Sequence, residues 1–333
     1  MPNREIIKKN LKNTVTETDL KGCNKIHVGK VRDTYEKDGQ RIIVTTDRQS
    51  AFDRILAAIP FKGAVLNQFA AFWFDNTQDI VRNHLLAVPD PNIAIVNKVK
   101  IIPVEVVVRG YITGTTDTSA WVNYAAGERN FCGIQLPEGL KKNQKFETPI
   151  ITPTTKPETG HDEKISREEI IAQGLASEEE WSQIEKYALA VFQRGQEIAA
   201  EKGFILVDTK YEFGKDEEGN IVLADEVHTP DSSRYWIAAT YEERFAKGEE
   251  PENFDKEFLR LWFKEHCDPY NDPELPPAPD DLVEELAYRY IDIYEKLTGN
   301  EFIYNEEKNI QERMQENLDK YFKERAELFD KNK

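Results

Sequence analysis

The sequence predicts an α+β protein, on three observations. The opening segment is rich in short strand-like runs, the middle holds a two-strand hairpin, and the C-terminal part carries apolar residues at helical spacing. At 333 residues the chain is too long for one ordinary core, so two or three domains are expected. We read residues 1–100 as a β-rich N-terminal domain, 101–245 as a central α+β domain and 246–333 as a helical segment.

The first strands lie in "KIHVGKVRDTYEKDGQRIIVTTD", where Asp38-Gly39 is the hairpin signal between Tyr35 and the run from Ile42 to Thr45. A helix is expected from about Asn67 to Phe74. "IAIVNKVKIIPVEVVVRGYITG" reads as two further strands with Pro103 between them, and the segment from Asn97 to Pro103 as a hinge. A loop-rich stretch, roughly Thr116 to Ser166, leads to a helix with Trp181, Ile184, Ala188 and Val191 on one face. "GFILVDTKYEF" and "NIVLADEV" then form a hairpin around "GKDEEGN". After a Pro-rich linker, Leu282, Leu286, Tyr290, Ile293 and Leu297 mark a helix with Asp281 and Glu284 as a capping box and Gly299 as its stop. Ile310, Met314, Leu318 and Phe322 mark a last helix, read as a packing brace.

The formal charge of −17 argues against nucleic-acid and anionic-membrane partners, which require a basic face. The three cysteines, Cys23, Cys132 and Cys267, have no C-x-x-C spacing, which disfavours a disulfide framework or zinc site and fits a reducing compartment, the cytoplasm by default. The N-terminus "MPNREIIKKNLKN" has charges where a signal peptide needs apolar residues, and no run approaches the ~18 apolar residues of a membrane span.

Alternate residues of a strand share a face, so Asp208, Lys210 and Glu212 point one way and Thr209, Tyr211 and Phe213 the other. Asp225 joins the charged face if the hairpin pairs it opposite Lys210 or Glu212; a slip of one residue would reverse it. We expect the first register, which brings Glu212, Asp225 and Lys210 together. Clustered carboxylates repel unless a cation neutralises them, and Mg2+, which favours a few carboxylate oxygens together with phosphate and water, suits this pair. The plainer alternative is a cross-strand salt bridge of Lys210 with either acid.

Downstream, Ser232, Ser233 and Arg234 offer hydroxyls and a guanidinium fork that fit a phosphate monoester. The same residues also read as a helix start capped by Asp231 or a serine, which itself attracts phosphate. Gly29 and Lys30 in "HVGKVRDTY" suggest a flap over a triphosphate, or only a turn; no P-loop or G-x-G-x-x-G pattern is present. Arg109, followed by Gly110, Thr113, Gly114 and Thr115, suggests another anion pocket, although a strand-end arginine more often pairs with a local acid. Lys156, His161, Asp162 and Glu163 fall in a Pro/Gly-rich loop, a position that favours function. The five histidines show no zinc-hydrolase spacing, and no G-x-S-x-G elbow occurs.

Taken in order, "GKVRDTYE", "TTDRQSAFD", "VRNHL", "IPVEVVVRGYITGT", "TPTTKPETGHDEKIS", "DTKYEFG" and "DEVHTPDSSRYW" resemble the SAICAR synthetase (phosphoribosylaminoimidazole-succinocarboxamide synthase) family of de novo purine synthesis, over roughly residues 20 to 300. The helical C-terminus is similar to the longer form of that family. The resemblance implies a protein-kinase-like antiparallel β domain, a central domain related to ATP-grasp enzymes, and ATP in the cleft between them. It implies ligation of L-aspartate to carboxyaminoimidazole ribonucleotide (CAIR) with ATP going to ADP and phosphate, through an acyl phosphate because a free carboxylate is a poor electrophile.

By the same resemblance Gly29, Lys30 and Val31 would cover ATP, the segment with Lys98, Val99 and Ile101 would contact adenine, and Glu212 and Asp225 would hold Mg2+. Arg109, Ser233 and Arg234 would bind the CAIR 5'-phosphate, with Thr115 or Ser119 supplying a further hydroxyl, and Asp231 would contact the substrate. Lys156, Asp162, Lys210 and Asp225 would line the reacting centre, and Ser50 and Asp53 would face the substrate. CAIR, aspartate and ATP are the expected partners, with no nucleic acid, membrane or obligatory protein. His228 stands where many members have an apolar residue, and receives no role. Two alternatives remain from the residues: another ATP-dependent ligase or small-molecule kinase, and a non-catalytic nucleotide-binding protein, which would be expected to lose one acid of the Glu212 and Asp225 pair.

Overall fold

Alternating apolar and polar residues around Asp38-Gly39 form the expected hairpin: both turn residues have positive φ (48° and 78°), and Lys37 pairs with Gln40. In the computed structural model, which describes residues 1–52, 54–116, 118–156, 163–254, 257–306 and 309–331, the chain begins with α1 (Arg4–Lys9), β1 (Asn24–Val28), β2 (Arg32–Lys37), β3 (Gln40–Thr45), β4 (Arg48–Ala51), β5 (Arg54–Ala58), α2 (Lys62–Asp75), β6 (Leu85–Asp90), β7 (Ile93–Val96) and β8 (Lys100–Ile112). It continues through α3 (Ala120–Ala125), β9 (Asn130–Phe131), β10 (Ile134–Gln135), β11 (Gln144–Ile151), β12 (Thr154–Thr155), α4 (Arg167–Ala172), α5 (Glu178–Glu201), β13 (Phe204–Lys215), β14 (Ile221–Ala224) and β15 (Ser233–Ile237). The last elements are α6 (Ala238–Lys247), α7 (Glu257–His266), α8 (Asp280–Thr298) and α9 (Ile310–Lys331).

Two compact units result. The first comprises Met1–Phe72, Leu85–Lys98 and Lys256–Lys333, the second Trp73–His84 and Val99–Asp255. Compactness thus groups the C-terminal helices with the N-terminal strands instead of setting 246–333 apart, and one unit boundary falls between Lys98 and Val99.

In the first unit an antiparallel sheet of order β1-β2-β3-β7-β6 is covered by α9. Met314, Leu318 and Phe322 recur every four residues, so they form one stripe, and that stripe is buried with Tyr35, Ile42, Val44, Ile93 and Ile95 of the sheet. Each such side chain contributes roughly 1.5–3 kcal/mol by leaving water. Arg313 of the same helix reaches Asp90 at 3.0 Å. Helix α8 ends at Gly299, left-handed at φ 75°, as expected. Its expected capping box does not form. Pro279 occupies the N-cap, and Glu284 is buried one turn later, bonded to Arg4 at 3.3 Å; pairing with α1 outweighs the local cap.

The second unit is built on a sheet of order β11-β8-β13-β14, with β12 also on β8 and β15 also on β13. Ser177 and Glu180 form a capping box at the start of α5, which buries Trp181, Ile184, Ala188, Val191 and Phe192. Pro103 does not separate two strands. It lies inside β8, where pairing moves from Glu105 opposite Glu212 to Ile101 opposite Gly214, and this irregularity accommodates a residue that cannot donate to the ladder. The stretch expected to be loop-rich contains the eight-residue strand β11. Ser233 and Arg234 open a strand, β15, and the following helix starts only at Ala238, so the reading of these residues as a helix N-terminus is corrected.

Candidate active site

Strand pairing gives the central sheet of the second unit one charged face. Glu105 lies opposite Glu212, Val107 opposite Lys210 and Arg109 opposite Asp208, while Arg234 of β15 faces Asp208 from the other side. Directly paired residues share a face, so Glu105, Arg109, Asp208, Lys210, Glu212 and Arg234 form one patch. Tyr211 and Phe213 take the reverse side and are fully buried there. The alternation in "DTKYEFG" therefore holds.

The register expected for Asp225 does not hold. Ala224 pairs with Glu212 and Leu223 with Phe213, so an extended Asp225 would fall opposite Tyr211, on the wrong face. The chain corrects this by leaving the strand: β14 ends at Ala224, and Asp225 adopts a left-handed conformation, φ 61°. Its charge is consequently felt by both Glu212 and Lys156. Proximity of the acids comes from a backbone turn and not from the ladder.

Glu212 is 7 % exposed, and the Lys156 ammonium is bonded to its carboxylate. Burial, and then the neighbouring Asp225, push the Glu212 carboxyl up to about 7, against the pull of Lys156. Lys156 itself is held above the usual lysine value: burial alone would lower it, but Glu212 and Asp225 outweigh that. Lys210 donates to Glu105 at 2.6 Å. Burial opposes its charge, yet Glu105, then Glu212 and Glu226, keep it raised, so it is a permanent cation near neutral pH.

At the other end of the patch, Arg109 donates to the Thr152 hydroxyl at 2.7 Å and to the Thr118 carbonyl at 3.3 Å, and approaches Asp208 at 3.7 Å. Arg234 donates to the same Asp208 oxygen at 2.7 Å. One carboxylate thus holds two guanidinium groups together, which would otherwise repel. Ser233 alternates with Arg234, and its hydroxyl is 2.7 Å from that of Thr209, on the opposite face. Asp231 lies in the turn just before β15. Ser119 donates to the Thr116 carbonyl at 2.6 Å, whereas Thr115 is exposed.

In the first unit Gly29 opens a tight turn, its N–H donating to the Arg32 carbonyl at 2.8 Å. A Cβ at residue 29 would stand only 2.8 Å from that same oxygen, so glycine is required. Arg48 supports the turn from within: its guanidinium donates to the carbonyls of Gly29 at 2.9 Å and Lys30 at 3.2 Å and pairs with buried Asp33 at 2.6 Å. Val31 is partly buried and its carbonyl accepts from the Thr46 N–H at 2.9 Å, while Lys30 is exposed. Lys98 is bonded to Glu36. Ser50 lies in β4, paired with Ile55. In the second unit Val99 precedes β8, and Ile101 within it is 38 % exposed. Asp53, His161 and Asp162 lie outside the described residues.

Sequence reasoning missed Glu105, Glu226 and Arg48 as parts of these arrangements; it placed Asp208 on the charged face without its pairing to the two arginines. A signal existed for the first: in "EVVVR" Glu105 and Arg109 are four residues apart in a valine run, hence on one face of a strand. Among the described residues no group of three or more His, Cys, Asp or Glu is placed to hold a metal ion, and no helix is long and apolar enough to cross a membrane.

Comparison with known proteins settles the family. The family model described as SAICAR synthetase matches residues 25–276. The chain belongs to the SAICAR synthetase family. It is 61 % identical over 291 residues to phosphoribosylaminoimidazole-succinocarboxamide synthase of Legionella pneumophila (strain Lens), covering 87 % of this chain and 93 % of that protein. It is 54 % identical over 298 residues to the chloroplastic enzyme of Arabidopsis thaliana, covering 88 % of this chain and 72 % of that one. Among solved structures, the Saccharomyces cerevisiae SAICAR synthase complexed with SAICAR superposes with a TM-score of 0.75 at 37 % identity, covering 86 % of this chain and 99 % of the other. A type-2 SAICAR synthetase in complex with ADP gives a TM-score of 0.64 at 28 % identity, covering 84 % of this chain and all of the other, 100 %. The mixed α+β architecture with antiparallel sheets is that of the SAICAR synthetases, and the chain is a ligase of that family.

Proposed function

We propose that this SAICAR synthetase family member joins L-aspartate to CAIR at the expense of ATP, giving SAICAR, ADP and phosphate, through an acyl phosphate. The observation that carries the reading is the single charged face on which Lys156, Glu212 and Lys210 adjoin the Arg109–Asp208–Arg234 cluster. The relatives' names and the SAICAR and ADP complexes of the solved relatives support the substrate classes. In this reading residues 1–100 form a protein-kinase-like ATP-covering part, 101–245 an ATP-grasp-like catalytic part and 246–333 a bracing segment.

The donor set fits Mg2+: two acids supply hard oxygen ligands, and Glu212 is buried enough that its charge requires a cation, a place Lys156 takes in this structure. Glu212 and Asp225 would hold the ion, which when bound screens the phosphate charges and favours transfer of the terminal phosphoryl group. The number of acids suits an ion completed by phosphate and water instead of a full protein cage.

The residues then divide the work. Arg109 and Arg234, aligned by Asp208, grip the ribonucleotide phosphate, with Thr115 or Ser119 beside it, while the Ser233 hydroxyl, turned to the opposite face toward Thr209, is not part of that grip, and Asp231 contacts the substrate. Gly29, Lys30 and Val31 cover ATP, and Lys98, Val99 and Ile101 contact its adenine. Ser50 and Asp53 face the substrate. A CAIR carboxylate oxygen attacks the γ-phosphorus; the C–O–P bond forms and ADP leaves. The aspartate amine then attacks the activated carbon, phosphate departs, and the amine loses its proton. Lys210, held charged by Glu105, acts by electrostatic stabilisation and not as the base. Lys156 and Asp162 complete the reacting centre. Catalysis on this reading is placement and charge stabilisation, without a protein nucleophile.

A coupled assay with CAIR, aspartate and Mg-ATP tests the reaction: SAICAR and ADP should form in equal amounts. Hydroxylamine in place of aspartate should trap the acyl phosphate as a hydroxamate, and its absence under conditions of full turnover would remove that step. ADP released stoichiometrically with CAIR alone, in a stable phosphorylated product, would indicate a kinase.

A further inference from the structure

The loop from Asp225 to Asp231 contains two left-handed residues, Asp225 (φ 61°) and His228 (φ 50°). Residues other than glycine adopt that conformation infrequently, Asp and His among the more tolerant, so a specific course with two of them has to be selected by their surroundings. The surroundings of His228 do so from four directions. Its side chain is fully buried, at 0 % exposure, and fills a notch in α5 left by Gly195, where a Cβ would stand 2.3 Å from the imidazole Cε1 and 2.7 Å from Nδ1. The Trp73 ring meets it edge-on, with centroids 4.6 Å apart and planes at 83°. Its Nε2 is hydrogen-bonded to the Tyr211 hydroxyl, and its backbone carbonyl accepts from the Tyr235 hydroxyl at 2.7 Å.

The imidazole is not arranged as a proton carrier. Among the described residues Nδ1 has no hydrogen-bond partner, and burial pushes the ring down to about 3, so it is neutral at physiological pH. Its contacts are mechanical. Tyr211 sits between Lys210 and Glu212 on β13 and points to the α5 side, so the strand that presents Glu212 on one face holds the loop through its other face. Since pairing alone would send Asp225 to the wrong face, something beyond the ladder must fix the turn that brings it back.

We propose that His228 is a positioning residue that, seated in the Gly195 notch and bonded to Tyr211, fixes the left-handed course of the 225–231 loop and thereby sets Asp225 beside Glu212. The inference deepens, and rests on, the reading of Glu212 and Asp225 as the metal-holding pair. It also makes Gly195 and His228 interdependent: a side chain at 195 would expel the ring.

The test compares the full-length parent with His228→Leu, Tyr211→Phe and Glu212→Gln by two measurements: amide hydrogen exchange of peptides spanning residues 224–233, and Mn2+ binding followed by electron paramagnetic resonance in the presence of ADP. His228→Leu should speed exchange in that loop about tenfold or more and weaken Mn2+ binding about tenfold, with exchange in α9 unchanged. Tyr211→Phe, which removes one oxygen and carries both measurements should the leucine variant not fold, should shift each in the same direction by less. Unchanged loop exchange would overturn the proposal, as would faster exchange with parental Mn2+ affinity while Glu212→Gln loses the ion. If Glu212→Gln binds Mn2+ like the parent, the metal reading is what fails, and the exchange data alone then decide whether His228 positions the loop.

Discussion

The two units are built alike and differ in what their sheets leave uncovered. In each, an antiparallel sheet is covered on one side by a long amphipathic helix, α9 in the first unit and α5 in the second. In the first, the polar residues near the sheet serve the fold: Asp33 and Arg48 pair inside it and hold the Gly29 turn. In the second, the face away from α5 carries Glu105, Arg109, Asp208, Lys210, Glu212 and Arg234 in direct register. Unpaired, such a concentration of partly buried charge would be costly; it is tolerated because each acid faces a cation, and it is costly to disturb for the same reason. Substitutions in the apolar core beneath α9 should therefore register mainly as stability, and loss of a metal- or phosphate-binding group from the charged face mainly as activity.

The sharpest break of that contrast is Asp225→Asn. Asparagine accepts the left-handed backbone, so the thermal midpoint should stay within about 3 °C, while kcat falls by at least ~10³, about 4 kcal/mol of transition-state stabilisation. Turnover within tenfold of the parent would refute the metal assignment. Leu318→Ala should do the converse. Loss of this fully buried side chain from α9 should cost about 3–4 kcal/mol in denaturant unfolding with the Michaelis constant for CAIR unchanged; an unaltered unfolding midpoint would show that α9 does not brace the sheet.

Asp47 sharpens the contrast through pH. Its buried carboxylate accepts the Val15 and Gly63 N–H groups, each at 2.8 Å, yet burial raises it from 3.8 to about 6. Between those values the unfolded chain has released a proton that the folded state retains. This contribution to stability is therefore fully present below pH ~4 and is lost as pH rises through ~6, by up to about 3 kcal/mol. The stability difference between the parent and Asp47→Asn should fall by that order from pH 4 to 7; a difference independent of pH would contradict it.

Arg234→Ala should raise the Michaelis constant for CAIR about thirtyfold, ~2 kcal/mol for a charge-assisted contact, with kcat changed only a few-fold. An unchanged constant would count against the phosphate pocket. Smallest of all, Lys247→Ala removes an exposed i,i+4 pair with Glu243 and should shift stability by less than ~0.5 kcal/mol. A larger loss would mean that the surface contributes more than such pairs ordinarily do.

Much of the fold was legible from local pattern. The Asp38-Gly39 hairpin, the apolar stripes of α5 and α9 and the Gly299 stop all form, because periodicity and left-handed turn residues act over a few positions. The capping box at Asp281 failed where a distant partner, Arg4, competed for Glu284, and Pro103 was read as a break because the bulge that accommodates it depends on β13, more than a hundred residues away.

The sequence by itself determined which residues share a face: strand alternation groups Asp208, Lys210 and Glu212 whatever lies beside them, and an ordered series of motifs suffices to place the chain in its family. Only the tertiary structure decided who pairs with whom. Lys210 turns to Glu105, Lys156 to Glu212 and both arginines to Asp208, and Asp225 reaches the acid face by a left-handed turn that its strand register would forbid. The reason is physical: alternation is a property of one strand, whereas register, bulges and the packing of His228 against Gly195 arise from contacts between segments far apart in the chain, and no local pattern encodes them.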